Sequence, residues 1–315
     1  MTRSRALDHH PFPANARRMR RARRLACTLV ALLPACTGQG EPGQSTKPSG
    51  AASETKASSA AKPEGIDGRA LRAAELYDAG KSADAERAYR QILSENAEHV
   101  GSLVGLAQIL LDRDELDGAS SLIERALKTN PQSVPALKTK VALLVARDRA
   151  ADAVSLATTS LRIDPKSPAL NTALGDAQRS FGDLPKAIEA YRAVVRLNPQ
   201  GAPGWTRLGQ ALAENGDSAG AQEALKRALE RNPGSYPAYQ TLARLYYDDG
   251  HPDKAVGAWE QALRLQPNRG EAHEGMAEAL LAAGRPAEAR RHADQARRLG
   301  RNVDALLKNI DRASK

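Results

Sequence analysis

The chain has few of the residues from which small proteins build cross-links and catalytic or metal centres. Only two of its 315 residues are cysteine, Cys27 and Cys36, so residues 37–315 can hold neither a disulfide framework nor a CxxC metal site. The six histidines are scattered along the chain, and aromatic residues make up only 3% of it. A core built mainly from Ala and Leu is therefore expected.

Motifs of the common enzyme classes are also missing. The sequence contains no Gly-rich phosphate loop and no G-x-S-x-G nucleophile elbow. His273 and Glu274 could begin a zinc-protease helix, but that motif needs a second histidine where Ala277 stands. We therefore expect no enzyme activity, no cofactor and no metal site, and we interpret His273 as a packing residue.

Hydrophobic runs are short. The longest begins at Leu25, directly after a cluster of arginines, and ends near Ala35. About ten apolar residues cannot cross a membrane, which needs about 20, but they are typical of a secretory signal peptide. Residues 1–35 are interpreted as that signal peptide, with Met19 as an alternative start to Met1.

The end of this segment resembles a bacterial lipobox, Leu33-Pro34-Ala35-Cys36. The resemblance implies cleavage before Cys36 and acylation of its thiol and new amino group, so that the protein is exported and anchored to a membrane by lipid. Thr37 after the cysteine favours the outer membrane, facing the periplasm. The alternative is an ordinary signal peptide with an incidental cysteine.

Residues 36–64 follow as a predicted tether. From residue 37 onwards they contain no Val, Ile, Leu, Met or aromatic side chain, so they cannot bury a core and are expected to be disordered. A flexible chain of that length has a reach on the order of 30 Å.

Most of the net positive charge lies in the first 35 residues. The formal net charge is +9, but residues 1–35 carry +7 of it, which leaves +2 for residues 36–315. We therefore expect no nucleic-acid partner. An Arg-rich stretch between Arg285 and Arg301 could meet anionic lipid or nucleic acid, but Glu288 and Asp294 interleave with it, which favours a solvated outer face.

A period of 34 residues organises the remainder. Prolines recur at that interval at five positions: Pro131, Pro165, Pro199, Pro233 and Pro267. Alanines recur in the same frame at seven: Ala85, Ala119, Ala153, Ala187, Ala221, Ala255 and Ala289. Residues that tolerate left-handed backbone recur between them: Gly80, Asp114, Asp148, Gly182, Gly216, Gly250 and Gly284.

Within one unit the spacing predicts a helical hairpin. Trp205, Leu208 and Leu212 share one face of a first helix. Gly209 is small enough for a second helix to approach, where Leu225 fills the space. Each hairpin leaves apolar surface on both flanks, so neighbouring units must stack to bury it.

The unit Ser235–Asn268 resembles a tetratricopeptide repeat. The residues that carry the resemblance are Tyr239, Leu242, Ala243, Tyr246, Gly250, Ala255, Trp259, Ala262 and Pro267. The resemblance implies an all-α solenoid, a right-handed superhelix of about seven helix-turn-helix repeats over residues 65–303. The expected repeats are 66–99, 100–133, 134–167, 168–201, 202–235, 236–269 and 270–303, and residues 304–315 are expected to form a capping helix.

The first, third and seventh repeats depart from the pattern, the seventh by having Arg301 where the proline is expected. The first has Arg69 and Arg72 where large apolar residues are expected. The third departs at Lys140 and Ser160 and is expected to pack less well.

In this family the first helices of successive repeats line a concave groove. Carried over position by position, the resemblance implies these groove residues: Gln108, Lys138, Thr172, Asp176, Arg179, Thr206, Gln210, Gln240, Arg244, Tyr247, Glu274 and Glu278. The clamp with which some members hold a C-terminal carboxylate is missing, because Ala142 stands where that pattern needs Asn or Arg after Lys138.

The expected function is a non-catalytic scaffold or adaptor that binds a protein or peptide, lipid-anchored in the bacterial cell envelope and active in the assembly of a pilus, secretion or cell-wall complex. Arg179, Arg244 and Tyr247, in repeats four to six, are the leading candidates for contact with the partner. The alternatives are a self-associating structural lipoprotein and, less favoured, an enzyme or enzyme subunit. The oligomeric state is left open.

Overall fold

A computed structural model describes residues 65–314. The predicted signal peptide, Cys36 and the predicted tether all lie outside this range. Between residues 65 and 314 the secondary structure is entirely helical, with no strand. Fourteen helices form seven consecutive pairs and a fifteenth follows them, which confirms the predicted all-α tetratricopeptide solenoid with a C-terminal helix.

The helices of the first four repeats are α1 Ile66–Asp78 and α2 Ser82–Glu95, α3 Val100–Asp112 and α4 Leu116–Thr129, α5 Val134–Ala146 and α6 Ala150–Ser160, and α7 Pro168–Phe181 and α8 Leu184–Leu197. The last three repeats contain α9 Ala202–Glu214 and α10 Ser218–Arg231, α11 Tyr236–Asp248 and α12 Pro252–Leu265, and α13 Gly270–Ala282 and α14 Pro286–Arg298. The final helix is α15 Asp304–Ala313.

The turn inside each hairpin uses left-handed backbone, as the sequence predicts. All five glycines of the recurring turn position have positive φ, between 73° and 97°. Asp114 and Asp148 take the same conformation, with φ of 62° and 59°. Since aspartate tolerates this region better than most non-glycine residues, two repeats can do without the glycine.

The turn between successive repeats is closed by asparagine and proline. Helix α10 ends at Arg231, and Asn232 leaves the helical region with φ of −142°. Its side-chain oxygen accepts a hydrogen bond from the amide of Gly234 at 2.9 Å, an Asx turn, while Pro233 cannot continue the helix. The period of prolines therefore marks the ends of second helices.

Close approach inside a hairpin depends on small residues. A Cβ atom placed on Gly209 would lie 2.6 Å from Cγ of Leu225, well inside van der Waals contact. Leu225 is fully buried, as are Ala221 and Ala228 on the same helix. The predicted roles of Gly209 and Leu225 are confirmed.

Stacking between repeats uses a second set of glycines, which the sequence pattern does not single out. Tyr89 of α2 fills the space beside Gly105 of α3, where a Cβ atom would lie 2.2 Å from Cζ of the ring. Trp259 of α12 packs in the same way on Gly275 of α13. A bulky aromatic side chain of one repeat thus packs against a glycine of the next repeat.

The third repeat is irregular in its second helix. Helix α6 has 11 residues, against 14 in α10. Near its end Thr158 and Ser160 donate hydrogen bonds to the carbonyls of Val154 and Leu156, four residues earlier. Hydroxyl side chains that compete for helical carbonyls weaken a helix, and α6 ends at Ser160.

Helix α15 covers the end of the last repeat. Leu307 and Ile310 are buried, together with Val303 just before the helix. They join the core of repeats six and seven, and α15 contacts both α13 and α14. The part of the chain described here has no helix with both the length and the apolarity to cross a membrane.

A candidate protein-binding face on the first helices

Most first helices of neighbouring repeats pack directly on one another. Contacts join α1 to α3, α3 to α5, α5 to α7, α9 to α11 and α11 to α13. Within residues 65–314 the second helices of successive repeats make no comparable contacts. The side chains of the first helices that point away from the buried stripe therefore share one surface, which we call the first-helix face.

Charged side chains bridge α7 and α9 across this face. The carboxylate of Asp176 accepts a hydrogen bond from the Tyr191 hydroxyl at 2.6 Å and pairs with Arg207 at 2.5 Å. Arg179, one turn further along α7, pairs with Glu214 at 3.2 Å. Burial, and then the charge of Asp176, raises the pKa of Tyr191, so the phenol stays protonated and remains a donor.

The arginines of the last two repeats are paired as well. Arg244 on α11 lies 3.5 Å from the carboxylate of Glu271 on α13. Arg301, which follows α14, lies 2.5 Å from the carboxylate of Glu274 on α13. Both glutamates belong to α13, so this helix receives cationic partners from α11 and from the chain beyond α14.

Tyr247 is near two carboxylates without such partners. Its ring is 40% exposed, near the end of α11. Neither Asp248 beside it nor Glu278 on α13 makes an ion pair or a side-chain hydrogen bond with any residue between 65 and 314. Both carboxylates are exposed to solvent at the surface.

Desolvation of these groups nevertheless alters their titration. Loss of surrounding water raises the pKa of Asp248, and it raises the pKa of Glu278 together with repulsion from Glu274. The pKa of Tyr247 is raised by desolvation and then by the charges of Glu278 and Asp248. The two carboxylates and the neutral phenol therefore influence one another's titration.

Tyr236 is the first residue of α11, about two turns before Arg244. It is only 6% exposed, and its hydroxyl has no hydrogen-bond partner within the described range. The guanidinium of Arg269 lies 5.2 Å from the centre of its ring. Burial raises the pKa of this phenol, and the charge of Glu271 raises it further.

The remaining predicted residues differ in how available they are. Lys138 is exposed, while Gln210 and Gln240 are partly exposed. Gln108 donates a hydrogen bond to Asp112 at 3.2 Å. Thr172, also partly exposed, donates to the carbonyl of Pro168 at 2.8 Å.

Thr206 stands apart from the other predicted groove residues. It is buried, at 8% exposure, and its hydroxyl donates to the carbonyl of Ala202 at 3.1 Å inside α9. Its donor group is therefore used within its own helix.

Sequence reasoning missed the partners of the predicted residues, namely Arg207, Glu214, Glu271 and Arg301, and it also missed Asp248. A signal for two of them exists. Asp176 and Arg207 are 31 residues apart, and Arg179 and Glu214 are 35 apart, both close to one repeat. Opposite charges one repeat apart on first helices would have suggested these contacts.

His273 occupies the structural position that Trp205 holds two repeats earlier. Nε1 of Trp205 donates to the carbonyl of Pro199 at 2.9 Å, and Nε2 of His273 donates to the carbonyl of Pro267 at 2.9 Å. Nδ1 of His273 also lies 3.0 Å from Nδ1 of His292. In residues 65–314 no three His, Cys, Asp or Glu side chains group as metal ligands.

Arginines of the Arg-rich stretch in the last repeat form ion pairs with nearby acidic residues. Arg285 pairs with Glu288, and Arg297 pairs with Asp294. Arg290 pairs with Asp311 of α15. These pairs fit the interpretation of a solvated outer surface.

Comparisons with known proteins agree with this architecture. Tetratricopeptide repeat profiles match residues 76–144 and 212–258, residues 241–304, and residues 175–216, together more than half of the chain. A search among curated proteins found no significant match.

Solved structures share the fold. One chain in the crystal structure of the APC/C hetero-tetramer Cut9–Hcn1 superposes with a TM-score of 0.66 at 19% identity, over 80% of this chain and 50% of that one. This protein thus spans half the length of that relative. A tetratricopeptide repeat protein from Parabacteroides merdae has a TM-score of 0.53 at 14% identity, over 79% of this chain and 99% of that one.

A thermophilic repeat protein of Thermus thermophilus has a TM-score of 0.52 at 26% identity, over 58% of this chain and 99% of its own. Tetratricopeptide repeats are scaffolds for protein–protein interaction. With the repeat profiles, the paired helices and the 34-residue period in agreement, the chain belongs to the tetratricopeptide repeat family.

Proposed function

We propose that this protein is a non-catalytic scaffold that binds a segment of a partner protein on the first-helix face of repeats four to six. The observation that carries the proposal is the exposed Tyr247, set among charged side chains on that face. Rigid amphipathic aromatics are enriched at the centres of protein interfaces. A continuous face made by several helices suits an extended segment better than a small molecule.

The arginines on this face can exchange partners. The Arg179–Glu214 and Arg244–Glu271 pairs are partly solvent-exposed, and such pairs stabilise a fold by only about 0–1 kcal/mol. A carboxylate or backbone carbonyl of the partner could replace the intramolecular glutamate at little cost. Arginine offers several planar donors for such a contact.

The test is site-specific photo-crosslinking. Benzoylphenylalanine in place of Tyr247 should cross-link the partner in living cells, while the same probe at Arg291, on the outer helix α14, should not. Arg244→Ala combined with Tyr247→Ala should weaken capture of that partner at least ~10-fold, or ~1.4 kcal/mol, with helicity unchanged. Cross-linking from position 291 alone, or loss of capture only in Arg290→Ala with Arg291→Ala, would move the interface to the outer face.

We further propose that the protein is attached to the bacterial envelope through lipid on Cys36, on the outer membrane facing the periplasm, and serves the assembly of an envelope complex. This part rests on the sequence of residues 20–37. Cys36→Ala should abolish labelling with a fatty-acid analogue and release the protein from membranes. Membrane association that survives this change would refute the lipid anchor.

Self-association remains the second candidate, and one observation favours it. A depression of about 170 Å³ opens on the flank of repeat one that no other repeat within residues 65–314 covers, lined in part by Leu76, Ala88 and Ile92. Leu71 on the same helix, α1, is 64% exposed. The opposite end is covered by α15, so pairing through the repeat-one flank would give a dimer and not a filament. A molar mass that doubles between dilute and concentrated samples, and returns to monomer in Leu71→Glu, would support it.

A further inference from the structure

We infer that His273 and His292 form a binding site for a divalent transition-metal ion, with copper(II) the preferred ion. The two side chains belong to α13 and α14, the two helices of repeat seven, and they meet between those helices. The inference goes beyond the proposed scaffold function and does not depend on it.

The two histidines present the same ring atom to each other. Nδ1 of His273 lies 3.0 Å from Nδ1 of His292, and the ring centres are 5.2 Å apart. Imidazole nitrogens bind transition metals at about 2.0–2.1 Å, so the two metal–nitrogen bonds of a shared ion would meet at about 95°. The ion would lie to one side of the line that joins the two atoms, and both rings would turn towards it.

This angle favours particular metals. Neighbouring ligands in square-planar and octahedral geometry are about 90° apart, and copper(II) and nickel(II) adopt such geometry with nitrogen ligands. Tetrahedral zinc would need the two nitrogens about 3.3 Å apart. Among divalent ions copper(II) also binds most tightly to a given set of nitrogen ligands. Copper(II) is therefore the ion that the pair fits best.

A backbone carbonyl fixes which nitrogen of His273 is available. Nε2 of His273 donates a hydrogen bond to the carbonyl of Pro267 at 2.9 Å. A neutral imidazole carries one N–H, so its lone pair is on Nδ1, the atom that faces His292. Histidines that bind metals commonly donate their other nitrogen to a carbonyl or carboxylate in this way. His273 therefore already has the hydrogen bonding of a metal ligand.

Comparison of the repeats shows that packing requires neither histidine. Trp205, at the position of His273 two repeats earlier, donates to the carbonyl of Pro199 with its only nitrogen. At the position of His292 the other six repeats have an aliphatic residue: Ala88, Leu122, Leu156, Ala190, Ala224 and Ala258. Repeat seven thus has a surplus ring nitrogen on its first helix and a histidine opposite it on its second.

Both imidazoles can be reached and at least one is held neutral. The two side chains are partly exposed, so an ion can enter from solvent. Burial and the charge of His273 lower the pKa of His292, which keeps this ring neutral at pH 7, as metal binding requires. When the ion binds, the proton of His292 lies on Nε2 and both Nδ1 atoms face the metal.

The remaining coordination positions are open. Between residues 65 and 314 no third His, Cys, Asp or Glu completes a group of metal ligands. Glu288, one turn before His292 on α14, pairs with Arg285 at 2.7 Å. Water therefore supplies the other ligands, and the ion is exchangeable. The sequence motif for a zinc helix cannot show this pair, because its two members are 19 residues apart on different helices.

The experiment titrates the full-length protein with copper(II) by calorimetry and examines the complex by pulsed electron paramagnetic resonance, in which the remote nitrogen of each coordinated imidazole modulates the echo. His292→Ala introduces the residue that four other repeats have. It should lose one equivalent of bound copper relative to the unaltered protein, or bind it at least ~10-fold more weakly, together with the signal of two imidazoles on one ion. His273→Trp with His292→Ala reproduces the pair Trp205 and Ala224 of repeat five and should show the same loss with helicity unchanged.

The matched control is His251→Ala, which removes an exposed histidine just before α12. This variant should keep every equivalent of copper and the two-imidazole signal. Nickel(II) and zinc(II) should compete more weakly than copper(II), and Mg²⁺, which takes oxygen ligands, should not compete.

Three results would overturn the inference. Equal copper binding in the unaltered protein and in His292→Ala would show that the two rings share only a hydrogen bond. An equal loss in His251→Ala would show that copper binds histidines without regard to their position. Displacement of copper by Mg²⁺ would show a site made of oxygen ligands.

Discussion

Gly275→Ala is expected to destabilise the protein although alanine is the better helix former. The added Cβ atom would lie 2.3 Å from Cζ2 and 2.6 Å from Cε2 of Trp259, a ring that is 2% exposed and cannot swing into solvent. Overpacking of a core costs about 1–3 kcal/mol. Replacing a glycine by alanine in a helix interior stabilises the helix by about 1 kcal/mol. The free energy of unfolding should therefore fall by about 0–2 kcal/mol.

Gly257→Ala is the matched control on α12. A Cβ atom at Gly257 meets no heavy atom within 4 Å, so only the gain in helix propensity remains, about 1 kcal/mol. Urea unfolding followed by circular dichroism should therefore place Gly275→Ala about 1–3 kcal/mol below Gly257→Ala, a difference in which the propensity term cancels. In a Trp259→Leu background the penalty at position 275 should shrink. Equal stabilisation by both alanines would refute the packing of Trp259 on Gly275.

Other variants test the core and its titrating groups. Trp259→Ala should cost about 3–5 kcal/mol by denaturant unfolding, felt mainly in repeats five to seven because repeats couple to their neighbours; a loss spread evenly over all repeats would contradict that coupling. Burial and the charge of His273 lower the pKa of His292 below its ordinary 6.5, so the folded protein favours the neutral imidazole. This contribution to the free energy of unfolding is fully present above pH 6.5 and should be lost as the pH falls towards 5. In His292→Gln the loss between pH 7.5 and 5.5 should be smaller, and an unchanged pH dependence would count against the assignment. Glu278→Gln should raise the unfolding temperature at pH 7, since the charged carboxylate is disfavoured on folding; a lowered value would show that the charge is satisfied.

Local signals made the solenoid readable from the sequence. Gly216 permits the left-handed turn and Pro233 ends the second helix, and both effects depend only on neighbouring residues. The same residues recur every 34 positions. Gly209 against Leu225 was predictable because both belong to one hairpin. Ser160 indicated that the third repeat is irregular, but the sequence did not predict its hydrogen bond to the carbonyl of Leu156 or the short α6.

The first-helix face was only partly predictable. Its residues follow from their register on each helix, so Arg244 and Tyr247 could be placed on it. That register did not reveal that Thr206 is buried, because the fit between α9 and its neighbours decides its exposure.

By itself the sequence determined the kind of fold, its repeats and the residues that turn and end each helix, since these depend on contacts within one hairpin. The tertiary structure decided which charges meet. The offset between stacked repeats decides these contacts. It brings Arg179 to Glu214 and Trp259 onto Gly275. It also leaves Asp248 and Glu278 without an ion pair within residues 65–314. That offset is set by many side chains of two neighbouring hairpins at once, and no single stretch of sequence encodes it.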